Sequence, residues 1–535
     1  MTRRSFLPLM GAAAAGVAPA RPNILLILAD DLGYSDPGCY GGEIDTPNLN
    51  RLARGGVRFT QLYNCARCCP SRAALMTGQY PHRVGMGNMT GGKPRPGFPG
   101  YSDRVSADAP FLPAVMKKSG YTTLMSGKWH LAQPGPIDRG FDEFYGMLHG
   151  FDSFWDSSKY TRLPAGRPKR EYSRFHATEA ITDHALDFLV GARREAKPWF
   201  LYLAYNAPHF PLHAPKELID KYEPVYAKGW DVLRAERYER MRRLGLVDKR
   251  WPLTPRSVVG PNRVSTPNGW AAKQNPPWDS LDADRRRDLA RRMAVFAAMV
   301  DQMDRNLGRV IGDLEAKGDL DNTLVLFTSD NGACAEWDPF GFDISSGPQN
   351  VLHRGEQLAG MGQPGTYHST GSAWANLSNT PWRLYKHYTH EGGISSPTIA
   401  HWPRGLSGRG TFNHQPWHVV DVMPTLAGVA GAEAPAGLSG ADVSAMFAGK
   451  RPKRGPIFWE HEGSRAVRDG KWKLTAVYPK GEWELYDIEA DRSEMRDLAG
   501  AQPERVKAMV GMWEKWAREN QVVPWIWEPQ YPAAQ

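Results

Sequence analysis

Two apolar runs in this chain end in oxygen donors. Asn23–Ala29 leads into Asp30 and Asp31, and Thr323–Thr328 leads through Ser329 into Asp330, Asn331 and Gly332. Open α/β sheets bind ligands beyond the carboxyl ends of their strands. Three carboxylates and one amide gathered there suit a hard divalent cation such as calcium. Either pair alone would read as a turn or a helix cap; the metal reading rests on both standing at strand ends. A third segment, Cys68-Cys69-Pro70-Ser71-Arg72-Ala73-Ala74-Leu75-Met76-Thr77-Gly78, has proline where a first helical turn tolerates it and glycine where a helix stops. Cys68 then sits at a helix N-terminus, where the dipole and the unpaired N–H groups favour an anion. The competing reading, Cys65-Ala66-Arg67-Cys68 as a redox or zinc CxxC motif, lacks a second Cys/His pair and a thioredoxin-like context.

The elements that must position these residues show as periodicities. Further apolar runs of strand length stand at Tyr121–Met125, Trp199–Ala204 and Thr398–Trp402, as expected for strands covered on both faces. Helical patterns lie between them. The clearest runs from Leu289 through Met293, Phe296, Val300 and Met303 to Leu314, closing at Gly318. The basic stretch Arg285–Arg292 at its start reads as a solvated face. Alternating strands and helices predict an α/β domain with a mostly parallel sheet. The Trp-, Pro- and Arg-rich stretches 216–284 and 340–381 lack clear periodicity and read as long excursions from that sheet, a kind of segment that often carries function. Trp374 and Trp382 there could line an aromatic pocket or cover the core. Beyond residue 450, short strands at Pro456–Glu460, Ala466–Arg468, Trp472–Val477 and Glu484–Asp487, then a helix from Pro503 to Glu519, predict a small antiparallel sheet with one covering helix.

Cys68-x-Pro70-Ser71-Arg72 followed by Thr77-Gly78 resembles the signature of the type I sulfatases, the formylglycine-dependent members of the alkaline phosphatase superfamily. The early twin Asp, the later Asp-Asn and the distance between them agree, and within the family the chain resembles bacterial arylsulfatases. The resemblance implies an alkaline-phosphatase-like fold: a large mixed, mostly parallel sheet flanked by helices, with a smaller C-terminal antiparallel sheet packed by a helix. It implies that a maturation enzyme converts Cys68 to formylglycine (3-oxoalanine). One hydroxyl of the hydrate would attack sulfur and release the alcohol; the other would expel sulfate and restore the aldehyde. It implies one calcium ion held by Asp30, Asp31, Asp330, Asn331 and the hydrate of residue 68. Arg72 would pair with the nucleophile and the metal-side carboxylates. Lys128, in Gly127-Lys128-Trp129-His130, would bind sulfate, and His130 would take the proton of the second hydroxyl. His209, in Ala207-Pro208-His209, and Lys386, ahead of Glu391-Gly392-Gly393, would contact the leaving oxygen, and Cys69 would be a bystander. One departure is visible: after Glu391-Gly392-Gly393-Ile394 relatives commonly carry an Arg, where this chain has Ser395-Ser396-Pro397. His461 could border the pocket or stand on an exposed loop.

Composition bounds the alternatives. The chain has 535 residues, 41% of them hydrophobic and 23% charged, which excludes a disordered, collagenous or coiled-coil protein. Five cysteines in this length exclude a disulfide scaffold. A formal charge of +9 suits an anionic ligand, with no nucleic-acid motif and no apolar run long enough to span a membrane once the leader is gone. Thr2-Arg3-Arg4-Ser5-Phe6-Leu7, a short apolar stretch and Ala18-Pro19-Ala20 read as a twin-arginine leader over 1–20 for the export machinery, which predicts a periplasmic or secreted protein. The expected organisation is that leader, a catalytic domain over 21–450 and an α+β subdomain over 451–535. The expected reaction is hydrolysis of a sulfate monoester, an aryl sulfate by resemblance, with a sulfated sugar as the rival substrate. Phosphate or phosphonate ester hydrolysis, a silent sulfate- or metal-binding protein, and a thiol-redox protein are the other readings.

Overall fold

Alternate residues of strand β1 (Asn23–Ala29) pack into two different cores: Leu25, Ile27 and Ala29 into one, Ile24, Leu26 and Leu28 into the other. Its parallel neighbours β6 (Trp199–Ala204) and β7 (Thr323–Ser329) do the same, with Leu201, Leu203, Val325 and Phe327 on the first side and Phe200, Tyr202, Leu324 and Leu326 on the second. Continuous apolar runs therefore mark strands buried on both faces. The protein is described from a computed structural model, which covers residues 21–91, 95–258, 270, 273–336, 338–343 and 350–527. The leader expected over 1–20 lies outside the described residues.

The other strands of this sheet are β2 (Val57–Tyr63), β3 (Thr122–Gly127), β4 (Glu143–Gly146), β5 (Thr161–Leu163), β8 (Ser395–His401), β9 (Thr411–Asn413) and β10 (Trp417–His418). The order across the 10-stranded sheet is β10-β2-β8-β7-β1-β6-β3-β4-β5, with β9 beside β2. Strands β7, β1, β6, β3 and β4 run parallel, while β8 is antiparallel to both β7 and β2. The carboxyl ends of β2, β7, β1, β6 and β3 thus share one edge with the amino end of β8. Strands β2, β4, β5, β9 and β10 were not announced by apolar runs. They are short or lie toward the sheet margins, and several of their residues are only half-buried.

The helix Ala283–Ala316 follows the expected apolar stripe into the first core. Its basic start is a solvated face only in part, with Arg287 exposed and Arg286 half-buried. Arg292 is fully buried, donating from Nε to Asp288 at 3.0 Å and from Nη2 to Asp343 at 2.7 Å, and Arg291 is buried against Asp220 and Glu223. The stretch 216–284 is not all irregular either. It holds helices Lys216–Tyr226 and Trp230–Leu244, the second hidden from a periodicity reading because its buried side includes Arg234 and Arg237. Arg237 is held by Asp36 at 2.9 Å and by Glu43 at 2.5 Å. Trp374 and Trp382 are fully buried, Trp374 edge-on to Trp230 and Trp382 edge-on to Tyr34, so both are core residues and line no pocket.

In the C-terminal part, β11 (Ile457–His461), β12 (Ser464–Asp469), β13 (Trp472–Ala476) and β14 (Glu484–Asp487) form an antiparallel sheet in that order. The helix Pro503–Glu519 covers it, setting Met509 and Val506 against Val467, Leu474 and Leu485. No helix among the described residues is long and apolar enough to cross a membrane.

Candidate active site

Adjacent parallel strands deliver the candidate residues to one place. Strand β1 leads into Asp30 and Asp31, β7 into Asp330 and Asn331, β3 into Lys128 and His130, and β6 to His209. Strand β2 leads through Asn64–Arg67 into the helix Cys68–Thr77, which opens on Cys68 and closes on Gly78 in the left-handed conformation, φ 65°. A side chain at 78 would be strained there, which explains the glycine. Lys386 arrives just ahead of β8. All nine of these side chains are buried.

Arg72 lies one turn along the Cys68 helix and donates from Nε to Asp330 Oδ2 at 3.0 Å and from Nη1 to the Lys128 carbonyl at 3.0 Å. Its Nη2 is 3.5 Å from Asp30 Oδ1. Lys128 Nζ donates to Asp30 Oδ2 at 2.6 Å and Lys386 Nζ to Asp31 Oδ2 at 2.9 Å. Three carboxyl groups therefore face three basic side chains before any ligand binds. Burial pushes Asp330 up to about 8, reinforced by the charge of Asp30, and burial likewise raises Asp30. A bound cation reverses both effects.

The donor set fits a hard cation on a second ground. Asp30 Oδ1 and Asn331 Oδ1 are buried and have no hydrogen-bond partner among the described residues, a costly condition that a cation relieves. Asp31, Asp330 and Asn331 are already in contact: the Asp31 amide donates to Asp330 Oδ1 at 3.2 Å and Asn331 Nδ2 to Asp31 Oδ1 at 2.6 Å. Asp31 has φ 64°, a left-handed turn that Asp tolerates better than most residues and that re-aims its carboxylate after the strand.

Around Cys68, a hydrogen bond from Cys69 and the nearby His130 and Lys128 hold the thiol well below its ordinary range against the opposing effect of burial. Burial holds the His130 and His209 imidazoles down at about 3, so both are neutral proton acceptors near pH 7. His209 Nδ1 lies 2.6 Å from the Phe210 carbonyl, which fixes the proton on Nδ1 and leaves Nε2 facing Asp31 Oδ2 at 3.5 Å. The surroundings of Cys65 do not suit a CxxC redox pair: it sits against His418 at 3.8 Å with its thiol pushed up by burial.

Sequence reasoning missed two neighbours of the histidines. A Cβ on Gly150 would stand 2.7 Å from His130 Nε2, and Phe151, 38% exposed, stacks on His209 with centroids 6.0 Å apart and planes 14° from parallel. It also missed Glu336, 3.9 Å from Lys386 Nζ, and His387 and Glu462 beyond it. The only available signal was adjacency, since Arg67, His387 and Glu462 each directly neighbour a residue already singled out. His461 closes β11 and is buried, so the exposed-loop reading fails.

The chain is similar over most of its length to known proteins. The family model described as Sulfatase matches residues 22–432, and that of the N-sulphoglucosamine sulphohydrolase C-terminal region matches 381–521. An uncharacterised sulfatase of Schizosaccharomyces pombe is 34% identical over 94% of each chain. An arylsulfatase of Klebsiella aerogenes is 32% identical over 77% of this chain and 87% of its own. The solved structure of Ps i-CgsB in complex with a neocarrahexaose superposes with a TM-score of 0.66 at 27% identity, covering 95% of each chain.

Proposed function

The chain belongs to the sulfatase family and is a sulfuric ester hydrolase; from this premise we propose that it works through a formylglycine made from Cys68, assisted by one calcium ion. The observation that carries the reading is the buried meeting of Asp30, Asp31, Asp330 and Asn331, with Asn331 Oδ1 lacking a hydrogen-bond partner among the described residues, beside a cysteine at a helix N-terminus. Asp30, Asp31, Asp330 and Asn331 would hold the ion. When bound, the cation would supply Lewis acidity to a sulfate oxygen and lower the pKa of the hydroxyl at residue 68.

The remaining work falls to the chain's own groups. Lys128 and Arg72 neutralise sulfate oxygens as charge builds on them. His130, neutral and reaching residue 68, accepts the hydroxyl proton that must leave when sulfate is expelled. Lys386, whose ammonium Asp31 helps hold well above its ordinary range against burial, stays charged and faces the departing oxygen together with His209.

Two leaving-group classes stand at this stage. Likeness to an arylsulfatase favours an aryl alcohol, and likeness to a structure holding a neocarrahexaose favours a sugar. The chain would depend on a formylglycine-generating enzyme for maturation and on a twin-arginine leader over residues 1–20 for periplasmic or secreted placement. The decisive experiment is mass spectrometry of the tryptic peptide Cys68–Arg72. The expected peptide has lost H₂S and gained an oxygen at residue 68 relative to cysteine, in a preparation that releases sulfate from sulfate esters faster than phosphate from phosphate or phosphonate esters. An active preparation with an unmodified thiol overturns the reading.

A further inference from the structure

The buried polar network does not stop at the groups that face sulfate. From Lys386 it passes to Glu336 at 3.9 Å, from Glu336 to His387 Nε2 at 3.7 Å, from His387 Nδ1 to Glu462 Oε2 at 3.6 Å, and from Glu462 Oε1 to His461 Nε2 at 3.9 Å. The rings of His387 and His461 have centroids 5.4 Å apart, and the Arg67 guanidinium reaches the His387 ring. Every one of these side chains is more than nine-tenths buried. Yet among the described residues neither ring nitrogen of His461 has a hydrogen-bond partner, nor has Glu462 Oε2. Each such buried atom carries the cost of an unmade hydrogen bond, a cost relieved when a ligand supplies the missing partners.

The cluster borders the reaction centre. Arg67 directly precedes Cys68, His387 directly follows Lys386, and Glu336 lies 3.9 Å from Lys386 Nζ. Two occupants fit poorly. His387, His461 and Glu462 are spaced to hold a metal ion, but a guanidinium already lies against His387 and opposes a second cation. A plain aryl group would leave the nitrogens and the carboxylate oxygen unpaired in still drier surroundings. Hydroxyl groups at short spacing fit well, because each can donate to a carboxylate oxygen or imine nitrogen and accept from a ring N–H or a guanidinium.

We propose that His461 and Glu462, carried from the C-terminal sheet to the reaction centre, form with Arg67 and His387 a hydroxyl-reading subsite, so that the preferred leaving group is a sugar. The proposal rests on the sulfate-binding centre at residue 68 described above and names the substrate class of that same site.

The test is calorimetric binding to the full chain carrying Cys68→Ala. The probes are the 6-sulfates of galactose, glucose and N-acetylglucosamine, set against p-nitrophenyl sulfate. At least one sugar sulfate is expected to bind more tightly than p-nitrophenyl sulfate. Adding His461→Ala or the isosteric Glu462→Gln should lower the sugar-to-aryl affinity ratio by about 10- to 100-fold, the scale of one or two lost hydrogen bonds to a polar or charged group. An unchanged ratio in folded Glu462→Gln protein, or aryl sulfate binding tighter than all three sugars, overturns the subsite. Sulfate release by the Cys68→Ala protein itself would count against the formylglycine reading and leave the subsite standing.

Discussion

Arg492 donates from Nε to Glu391 Oε2 at 2.8 Å and from Nη2 to Ser395 Oγ at 3.1 Å. A residue of the C-terminal part thus clamps the turn that follows Lys386. The face of the Arg492 guanidinium lies 4.4 Å from the Trp382 ring centroid. Lys473 completes the clamp, reaching Glu391 Oε1 at 3.0 Å and Glu494 at 2.7 Å. Removing one partner of a buried ion pair strands the other charge and costs about 3–5 kcal/mol. Because Glu391 keeps Lys473, Arg492→Met is expected to lower unfolding stability by less than that amount in a urea titration, and to lower sulfatase activity because the turn after Lys386 loses its clamp. Wild-type stability in the variant would show the clamp to be incidental.

Chelation should act on both function and stability. Without a cation, Asp30 and Asp330 are buried carboxylates repelling each other, with only Arg72 and Lys128 to offset them. Dialysis against EGTA is expected to abolish sulfate release and to lower the melting temperature, with calcium restoring both. Asn331→Leu should remove the calcium-dependent part of the melting shift. A melting curve indifferent to calcium in the wild-type protein would exclude the ion from this site.

The two crowded cysteines should separate cleanly. Cys68→Ala is expected to lose sulfate release altogether while keeping the wild-type circular dichroism spectrum. Cys65→Ser should keep most of it, because the contacts of Cys65 are a backbone amide bonded to Ser71 Oγ at 2.9 Å and a loose thiol contact with His418. Complete loss in Cys65→Ser would revive a disulfide or redox role.

The histidines proposed to act in catalysis should respond to residues that never touch sulfate. Alanine at 150 would put a methyl group 2.7 Å from His130 Nε2 and push the ring away from residue 68. Displacements near 1 Å in such positions cost about 100-fold in rate. Gly150→Ala is expected to lower kcat by about that factor with little change in melting temperature. An unaltered kcat would mean that His130 moves aside without consequence.

Much of this site was legible in the sequence because strand ends and a helix start are local signals. The apolar run before Asp30, the one before Asp330 and the Pro70–Gly78 bracket each show in a handful of residues. What escaped were burials that look polar. The helix Trp230–Leu244 hides Arg234 and Arg237 in its packed side, and Arg292 lies fully buried in a stretch that reads as a solvated face. A buried ion pair has the composition of a surface, and its partners, such as Asp343 for Arg292, lie far away in sequence. The subsite around His461 escaped for the same reason: His387 and Glu462 become neighbours only once the C-terminal sheet docks on the large one.

Asp288 offers a test of these buried pairs through pH. Burial alone would raise its carboxyl, but the charge of Arg292 and hydrogen bonds from His353 outweigh that and hold it at about 2. In the unfolded chain the same group titrates near about 4. Between those values the unfolded state binds the proton and the folded state does not, so stability rises with pH across the window. The contribution is complete above about pH 4, on the order of 2 kcal/mol, and is lost as pH falls toward 2. Asp288→Asn should therefore flatten the dependence of unfolding free energy on pH in that window. It should also cost less at pH 7 than a full pair disruption, because Arg292 keeps Asp343 at 2.7 Å. Urea titrations of both proteins between pH 2 and pH 7 check the two expectations together. An equal slope in variant and wild type would place the acid sensitivity of this fold elsewhere.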